Sequence, residues 1–317
     1  MTRTDIRERE ARWAGPVATS TFLAVALMVA SAFVSAVSGT GEAAILRSVH
    51  EHSGSVTASG LMQAVGFALL AVPLAYLFHA DRARSGRVRP QMIALMVAAP
   101  LLLGLSAGLS IGARQQAADI FLGGEAKPTM SQREANEKCV SDRKDEGAEE
   151  FGEEFEPGKG ETALAACEKR KLADDEASNA VGEADLAPFV SGFGIAGGLG
   201  FAVALFYACL WAMRLGLLPR FWGSLGMALG IAALIGLVLF TLIWFVYFGL
   251  LTLGLLPNGR PPAWEAGEAV PWPTPGEKAA AELEPEKAME APDAPEAPEP
   301  EEPSDDLSSK RKRKQRD

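Results

Sequence analysis

Residues 221–256 read FWGSLGMALGIAALIGLVLFTLIWFVYFGLLTLGLL, a run of 36 residues without a charged side chain. A single helix of this length would be about 54 Å long at 1.5 Å per residue. A bilayer core of about 30 Å needs only about 20 apolar residues. Two short helices joined by a tight turn near residues 238–241 fit better, so the run predicts a membrane hairpin.

Four further uncharged runs are each long enough to cross a bilayer once. They predict spans at residues 16–37, 59–78, 91–111 and 188–213. Pro73 predicts a kink in the second span. A cleaved secretory signal is the alternative for the first run, but the run is longer than most signal cores. The predicted fold class is an all-α membrane protein, a six-helix transmembrane bundle.

Arginine residues gather at alternate ends of the runs. The basic flanks contain Arg3, Arg7, Arg9, Arg12, Arg82, Arg84, Arg87, Arg89, Arg214, Arg220, Arg260 and the cluster at 310–316. Six spans put all of these flanks on one side, whereas five spans would put the last cluster on the other. The positive-inside rule therefore predicts a cell (inner) membrane protein with both termini in the cytoplasm. High alanine, glycine and arginine usage favours a bacterial source.

The domain layout follows from these spans. It comprises a cytoplasmic flank (1–12), three spans (13–114), an extracytoplasmic loop (115–186), three spans (187–257), a Pro/Trp-rich juxtamembrane strap (258–276) and a disordered, acidic then basic cytoplasmic tail (277–317). The net charge of −10 comes from the long loop and the tail. It therefore describes solvated segments and gives no sign of a nucleic-acid partner.

The basic end of the tail is the one place where composition suggests a binding partner. The cluster at 310–316 could bind anionic lipid head groups, at about 1 kcal/mol per basic residue near the surface. An unstructured solubilising tail that pairs with its own acidic run is an equal alternative. The bilayer itself is the only partner that the spans require, and a protein partner cannot be named.

The long loop reads as an αα-hairpin. Polar helices are predicted at 131–151 and 161–180, with turn-forming residues at 156–160 between them. Cys139 and Cys167 fall one in each arm, in a compartment where thiols oxidise. A disulfide here would stabilise the hairpin by roughly 3.5 kcal/mol. Two free thiols, or a redox-active or metal-binding pair, are the alternatives, although the spacing matches no CxxC or zinc pattern.

Small residues recur at intervals of four in three of the predicted spans. These are Gly104, Gly108 and Gly112 in the third, Gly194 and Gly198 in the fourth, and Gly226 and Gly230 in the fifth. Such faces let helix backbones approach closely, which replaces the missing hydrophobic driving force in lipid. Packing within one bundle is the favoured interpretation, and homodimerisation is the alternative.

Tryptophan and tyrosine side chains occur near the ends of the predicted spans. Trp13, Tyr76, Trp211 and Trp222 fall at cytoplasmic boundaries, while Trp244 and Tyr247 fall near the outer one. These positions predict an interfacial aromatic belt.

Residues that could carry chemistry are scarce. No charged residue lies in the middle of a span, and Gln63 is the interior side chain that most needs a partner. This argues against ion-coupled transport and against intramembrane proteolysis. His50 and His52 flank Glu51, but a lone HxH is more typical of a solvated loop than of a metal site. No catalytic, cofactor-binding or metal-binding residue is predicted, and the chain is not expected to be an enzyme.

Three segments together carry a resemblance. They are LRSVHEHSG at 46–54, LPRFWG at 218–223 and GRPPAWE at 259–265. Over roughly residues 14–275 the chain resembles a family of uncharacterised bacterial six-helix membrane proteins, a domain of unknown function. The resemblance implies a membrane location and no established activity, so no site residues are carried over. The cysteine-bearing insert looks atypical of such a family.

The sequence thus favours a non-enzymatic membrane component, either structural, a scaffold or partner-binding. A small-molecule transporter or channel-like protein is the alternative. A polar cavity across the middle of the bundle would favour the alternative, and a dry, packed core would favour the first hypothesis.

Overall fold

The computed structural model describes residues 2–35, 37, 39–146, 162–235, 238–257 and 259–273, and every regular element among them is helical. Four helical segments are long and apolar enough to cross a membrane: Arg3–Val34, Ser53–Arg84, Met92–Leu122 and Ala187–Arg214. A shorter apolar helix covers Phe240–Leu253. By length and composition, these helices indicate a membrane protein.

The helices follow one another along the chain with short connections. They are α1 (Arg3–Val34), α2 (Glu42–Glu51), α3 (Ser53–Leu69), α4 (Ala71–Arg84), α5 (Met92–Leu122), α6 (Gln132–Glu146), α7 (Ala163–Glu183), α8 (Ala187–Arg214), α9 (Arg220–Ala232), α10 (Val238–Leu253) and α11 (Pro262–Ala266).

Helix α1 begins well before the first predicted span. Thr2 and Asp5 form a capping box, in which Asp5 N–H donates to Thr2 Oγ1 at 3.3 Å and Thr2 N–H donates to Asp5 Oδ2 at 2.8 Å. The box satisfies donors that a helix start leaves open. The polar flank is therefore helical and continuous with the apolar run.

The second predicted span is broken at Leu70, between α3 and α4. Pro73 lies just beyond the break, and a proline ring clashes with the carbonyl four residues earlier. Leu70 N–H instead donates to Phe67 O at 3.0 Å, which tightens the turn. The predicted kink therefore takes the form of an interruption one turn before the proline.

Helices α9 and α10 lie side by side and run in opposite directions. Trp244 Nε1 donates to Trp222 O at 2.9 Å, and Thr241 Oγ1 donates to Leu229 O at 3.2 Å. A 3₁₀ turn at Ala233–Ile235 follows α9, and α10 has already begun at Val238. Residues 238–241, where the turn was predicted, therefore already belong to α10.

The predicted aromatic belt is wrong at its outer end. The rings of Trp222 and Tyr247 stack with centroids 3.7 Å apart. Trp244 is only 1% exposed and packs edge-on against Phe245. Because Trp222 starts α9 and Tyr247 lies in the partner helix, these side chains share one level of the bundle and cannot mark opposite boundaries. Composition at a span end did not distinguish an interfacial ring from a core ring.

A second hydrophobic core lies beyond the main bundle core. Leu46 and Val49 of α2 pack with Phe121 of α5 and with Ala177 and Ala180 of α7. We call α2, the last turns of α5, α6 and α7 the cap. One prediction needs correction, because residues before the second span form a helix with a buried face rather than a loop. Helix α5 itself extends beyond the predicted span, to Leu122.

The cap is tied together by side chains from distant parts of the sequence. Asp174 Oδ1 accepts the backbone N–H of Ala43 at 3.0 Å, which caps the start of α2. Asp175 accepts the N–H groups of Met130 at 2.8 Å and Thr129 at 2.6 Å. The hydrogen bonds from Met130 and Thr129 lower the pKa of Asp175 below its ordinary value of 3.8.

Helices α6 and α7 contact each other through the two loop cysteines. The structure joins Cys139 to Cys167, with Cα atoms 6.0 Å apart and both side chains fully buried. Lys171 Nζ lies 3.0 Å from Asp142 Oδ2 beside them. The turn predicted at 156–160 lies outside the described residues.

The predicted small-residue faces point at neighbouring helices. A Cβ added at Gly104 would lie 2.7 Å from Ala64 O, one at Gly112 would lie 2.9 Å from Leu186, and one at Gly226 would lie 2.4 Å from Cys209 Sγ. At Gly194 and Gly230 the nearest atoms, Ser106 Oγ and Ala202 O, would each be 3.1 Å away. At Gly108 and Gly198 there is more room, with Ala64 Cβ at 3.9 Å and Leu234 at 3.5 Å. All of these contacts are inside one bundle, and Gly104 and Gly226 leave no room for a methyl group.

One closely packed glycine was missed by the spacing argument. Gly197 lies where α8 crosses α5, and an added Cβ would be 2.8 Å from Leu103 N and 3.2 Å from Ala99 O. Gly197 lies between Gly194 and Gly198, so a search for glycines spaced four residues apart does not identify it.

Candidate functional site

The basic flanks of the predicted spans meet at one end of the bundle, which we call the arginine end. Arg89 N–H donates to Tyr207 Oη at 3.0 Å, which joins the start of α5 to α8. Arg220 Nη2 donates to Trp272 O at 3.2 Å, and Arg260 donates to Thr252 O. The contacts bring together segments that are far apart in the sequence.

The strap folds back onto this end. Pro262 opens the short helix α11, and Gly267 ends it in the left-handed conformation at φ +67°. Trp264 Nε1 then donates to Leu217 O and Trp272 Nε1 to Leu218 O, each at 2.9 Å. Two indole N–H groups thus bind consecutive carbonyls of the turn between α8 and α9.

Gly216 is the position where the strap and this turn come closest. Its φ is +77°, and an added Cβ would lie 1.9 Å from Val270 O. Beside it, Val270 N–H donates to Leu215 O at 3.0 Å. Only glycine combines this backbone conformation with such an approach.

A buried arginine links the strap to the bundle. The Arg84 side chain is 0% exposed. It donates to Ala263 O from Nε at 3.2 Å and from Nη2 at 2.9 Å, to Ala80 O from Nη1 at 3.1 Å, and to Glu10 from Nη1 and from Nη2, the latter at 2.9 Å. These five hydrogen bonds match the five N–H donors of a guanidinium group.

Aromatic rings enclose this ion pair. The Arg84 guanidinium carbon lies 5.5 Å from the centre of the Trp264 ring, and that ring stacks on Tyr76 at 5.8 Å. Tyr76 Oη donates to Glu10 O at 3.2 Å. Burial of a charge pair is tolerated only when its remaining donors and acceptors are satisfied, and here they are.

Asp81 is a second buried acidic residue at this site, besides Glu10. It lies one turn before Arg84 on α4 and is 0% exposed, and among the described residues neither carboxylate oxygen has a hydrogen-bond partner. A buried carboxylate without a partner is costly to fold and is typical of functional positions.

Sequence reasoning missed Glu10, Asp81 and Arg84 as a group. Each was counted as part of a solvated or interfacial flank. The available signal was weak: Asp81 and Arg84 are spaced to share a helix face, but Glu10 is 74 residues away from Arg84 in the chain. Only the packing of α1 on α4 brings the pair together.

The described part of the bundle contains cavities near both of its ends. An apolar groove of about 430 Å³ lies between α1 and α4 near the arginine end. A more polar cavity of about 440 Å³, with Gln63 and Arg114 in its wall, lies near the cap. Between them the core has a void of about 50 Å³ lined by side chains such as Phe67, Phe201 and Leu242.

The polar groups in the cavity near the cap are mostly satisfied locally. Ser59 donates to Val56 O, Ser110 to Ala107 O and Ser31 to Met28 O, each within its own helix. Gln63, expected to find a partner across the bundle, has no hydrogen bond to a described residue and faces this cavity. The cavity can therefore take water or a small polar molecule.

The HxH sequence does not form a cluster in the structure. His50 Nδ1 lies 3.4 Å from Asp119 Oδ1, while His52 Nδ1 lies 3.1 Å from Ser48 O. The described residues include no group of three or more His, Cys, Asp or Glu side chains placed to hold a metal ion. The two imidazoles therefore serve different contacts.

No protein family model matches this chain, and no curated protein and no solved structure is detectably similar to it. The resemblance to uncharacterised six-helix membrane proteins stays a prediction.

Proposed function

We propose that this chain is a non-enzymatic multi-pass membrane component that binds a partner protein through its cap. In this proposal it crosses the cell membrane six times, keeps both termini in the cytoplasm and exposes the cap on the other side. The strap closes the cytoplasmic end.

Two features support the topology. Arg84, Arg89 and Arg220 come from different flanks and make contacts at the same end of the bundle, which is the pattern expected of a cytoplasmic face. The antiparallel contact of α9 with α10 supports two short crossings in place of one long helix.

The packed middle of the bundle is the observation that carries the functional proposal. Large apolar side chains, among them Phe67 and Phe201, separate the two cavities, and the void between them is about 50 Å³. Thr241 is the polar residue there, and its hydroxyl is bonded to Leu229 O. A dry core offers no path for a solute, which favours a scaffold over a transporter.

The cap supports partner binding because it is both rigidly tied and polar outside. Cys139, Asp174 and Asp175 fix its helices, while Val140, an apolar side chain on the otherwise polar helix α6, is 50% exposed. A lone exposed aliphatic side chain is ordinary on a protein surface, so the firmly tied, polar surface of the cap supports partner binding and Val140 serves as the probe position.

The test uses a photo-crosslinking amino acid at Val140 in the full chain, in native membranes. We expect one discrete protein adduct, which is lost when Cys139→Ser and Cys167→Ser loosen the cap. The matched control position is Leu199 of α8, which is 54% exposed on a candidate membrane-spanning helix and should capture no such adduct. An identical adduct pattern at both positions, or none at Val140, would contradict partner binding.

A small-molecule transporter is the second candidate, favoured by the cavity that contains Gln63 and Arg114. Proteoliposomes loaded with a panel of small sugars, amino acids and inorganic ions separate the two. The scaffold proposal predicts leakage equal to that of empty liposomes. Protein-dependent flux that Gln63→Leu abolishes would overturn it in favour of transport.

A further inference from the structure

The side chains that line the groove between α1 and α4 change from apolar to basic along its length. Its inner part is lined by apolar side chains such as Val17, Val72 and Ala75. At its mouth stand Arg9 and His79. At about 430 Å³ the groove falls within the roughly 300–1,000 Å³ typical of small-molecule pockets.

The change from apolar to basic side chains follows the direction in which the membrane changes from hydrocarbon to head groups. Val17 and Val72 fall within predicted spans, at 16–37 and 59–78, whereas Arg9 and His79 lie beyond the ends of the same spans. Trp13, also in the groove wall, is 52% exposed. An exposed tryptophan at this level is typical of the membrane interface.

The mouth of the groove has a net positive charge, because its acidic residue, Glu10, is already paired with Arg84. Glu10 is the only acidic residue among those that line the groove, and Arg84 neutralises it through two hydrogen bonds. Arg9 lines this mouth, and Arg82 lies one turn after His79 on α4, on the same helix face. Cations are therefore gathered at the open end.

We propose that this groove binds an anionic phospholipid, with an acyl chain along the apolar wall and the phosphate between Arg9 and Arg82. Charge complementarity at the mouth selects an anionic head group over a zwitterionic one, because basic pockets between membrane helices attract such lipids. The site is separate from the basic tail cluster at 310–316. It rests on the membrane location but not on the partner-binding role of the cap.

The experiment is native mass spectrometry of the full chain in detergent micelles, with equal amounts of phosphatidylglycerol and phosphatidylcholine of the same acyl chains. We expect phosphatidylglycerol to remain bound in preference. Arg9→Gln and Arg82→Gln should each lower its retention about fivefold, the change expected for one basic residue near an anionic surface.

The matched control is Arg87→Gln, which removes an exposed cation from the same end of the bundle but not from the groove. Its retention should equal that of the unaltered chain, and the basic tail is identical in all variants. Equal retention of both lipids, or an equal loss in Arg87→Gln, would overturn the proposal.

A second variant tests the groove without removing charge. Ala75→Leu fills the apolar wall, and we expect it to expel the bound lipid while leaving the melting temperature within a few degrees. Unchanged retention would place the lipid on the basic surface and overturn the site. A dimer that excludes lipid from the groove would also overturn it. A failed crosslink from Val140, by contrast, would leave this result untouched.

Discussion

Arg84 carries more contacts than its place at the end of an apolar helix suggests. Its guanidinium group binds Glu10 of α1 and Ala263 of the strap while its own side chain is 0% exposed. Removing one member of a buried ion pair leaves the other charged and unpaired, which typically costs about 3–5 kcal/mol. A single side chain therefore couples the first helix, the fourth and the strap.

We expect Arg84→Gln to lower the free energy of unfolding by about 3–5 kcal/mol, because Glu10 would remain buried without its partner. Thermal unfolding in detergent, followed by tryptophan fluorescence, measures the change. Arg87→Gln, an exposed neighbour, serves as the control and should have little effect. An Arg84→Gln protein that melts together with this control would show that the pair contributes nothing.

Asp81→Asn should change stability in the opposite direction. Asp81 is buried, and within the described residues its carboxyl group has no hydrogen-bond partner, so an amide removes the free-energy cost of holding an ionisable group out of water. We expect a higher melting temperature in the same assay. A lower one would mean that the carboxylate is held by an interaction that the described side chains do not provide.

Helices show where sequence reasoning succeeds and where it stops. Apolar runs predicted the crossings at α1, α5 and α8, because hydropathy depends on composition alone. Helix α2 was missed although it is amphipathic, with buried Leu46 and Val49 on one face and exposed Arg47 and His50 on the other. Its burial depends on α7, which lies more than a hundred residues later in the sequence.

The link between α6 and α7 gives a test that counts thiols. The chain has 3 cysteines, and with Cys139 and Cys167 joined only Cys209 is free. In unfolded, unreduced protein we expect a maleimide to label one cysteine, and after reduction all of them. Labelling of all three before reduction would refute the disulfide.

Loss of this link should also destabilise the cap. The bond closes a segment with a sequence separation of 28 residues, so its removal should cost roughly 3.5 kcal/mol. Cys139→Ser with Cys167→Ser should therefore increase protease cleavage within α6 and α7. Ser141→Ala, a neighbouring exposed change, is the control, and equal cleavage of both proteins would argue that the cap is held by its other contacts.

Acid should loosen the start of α6 before it affects the bundle. Hydrogen bonds from Met130 and Thr129 lower the pKa of Asp175 below its ordinary value of 3.8. A lowered pKa stabilises the folded state above 3.8, and this contribution is lost as the pH falls through the folded-state pKa. Hydrogen exchange at Thr129 and Met130, corrected for the intrinsic effect of pH, should lose protection below about pH 4.

Asp175→Asn is the control for this titration. The Asp175→Asn protein should show reduced protection at Thr129 and Met130 already at neutral pH. Acidification below about pH 4 should then cause no further loss of protection. Acid sensitivity that persists in Asp175→Asn would assign the titration to another carboxylate.

Over the whole molecule, the proposed topology depends on which side of the membrane each end faces. Glu125, in the connection between α5 and α6 of the cap, and Arg87 of the arginine end are both exposed. Glu125→Cys should react with a membrane-impermeant maleimide in intact cells, whereas Arg87→Cys and Lys310→Cys should react only after permeabilisation. Labelling of Lys310→Cys in intact cells would indicate five crossings and overturn the six-span proposal.

The positions of the spans and of the basic end could be predicted, because the bilayer alone determines them. Contacts between segments that are distant in the sequence could not. Alternating arginines anticipated one basic end, but the groove beside Arg9 depends on how α1 lies against α4. The cap core around Phe121 and the site at Glu10 likewise require tertiary packing. No periodicity in a single segment encodes such contacts.

The strap follows every helix of the bundle in the chain, so its docking registers that those helices have been synthesised. Arg84 and Glu10 can meet as soon as α4 has been inserted, yet two of the guanidinium's five hydrogen bonds wait for Ala263 O. A polypeptide truncated before this residue would keep those donors open beside an unshielded Tyr76. Membrane proteases that recognise loosely assembled helices would then remove the fragment and spare chains in which the strap has docked.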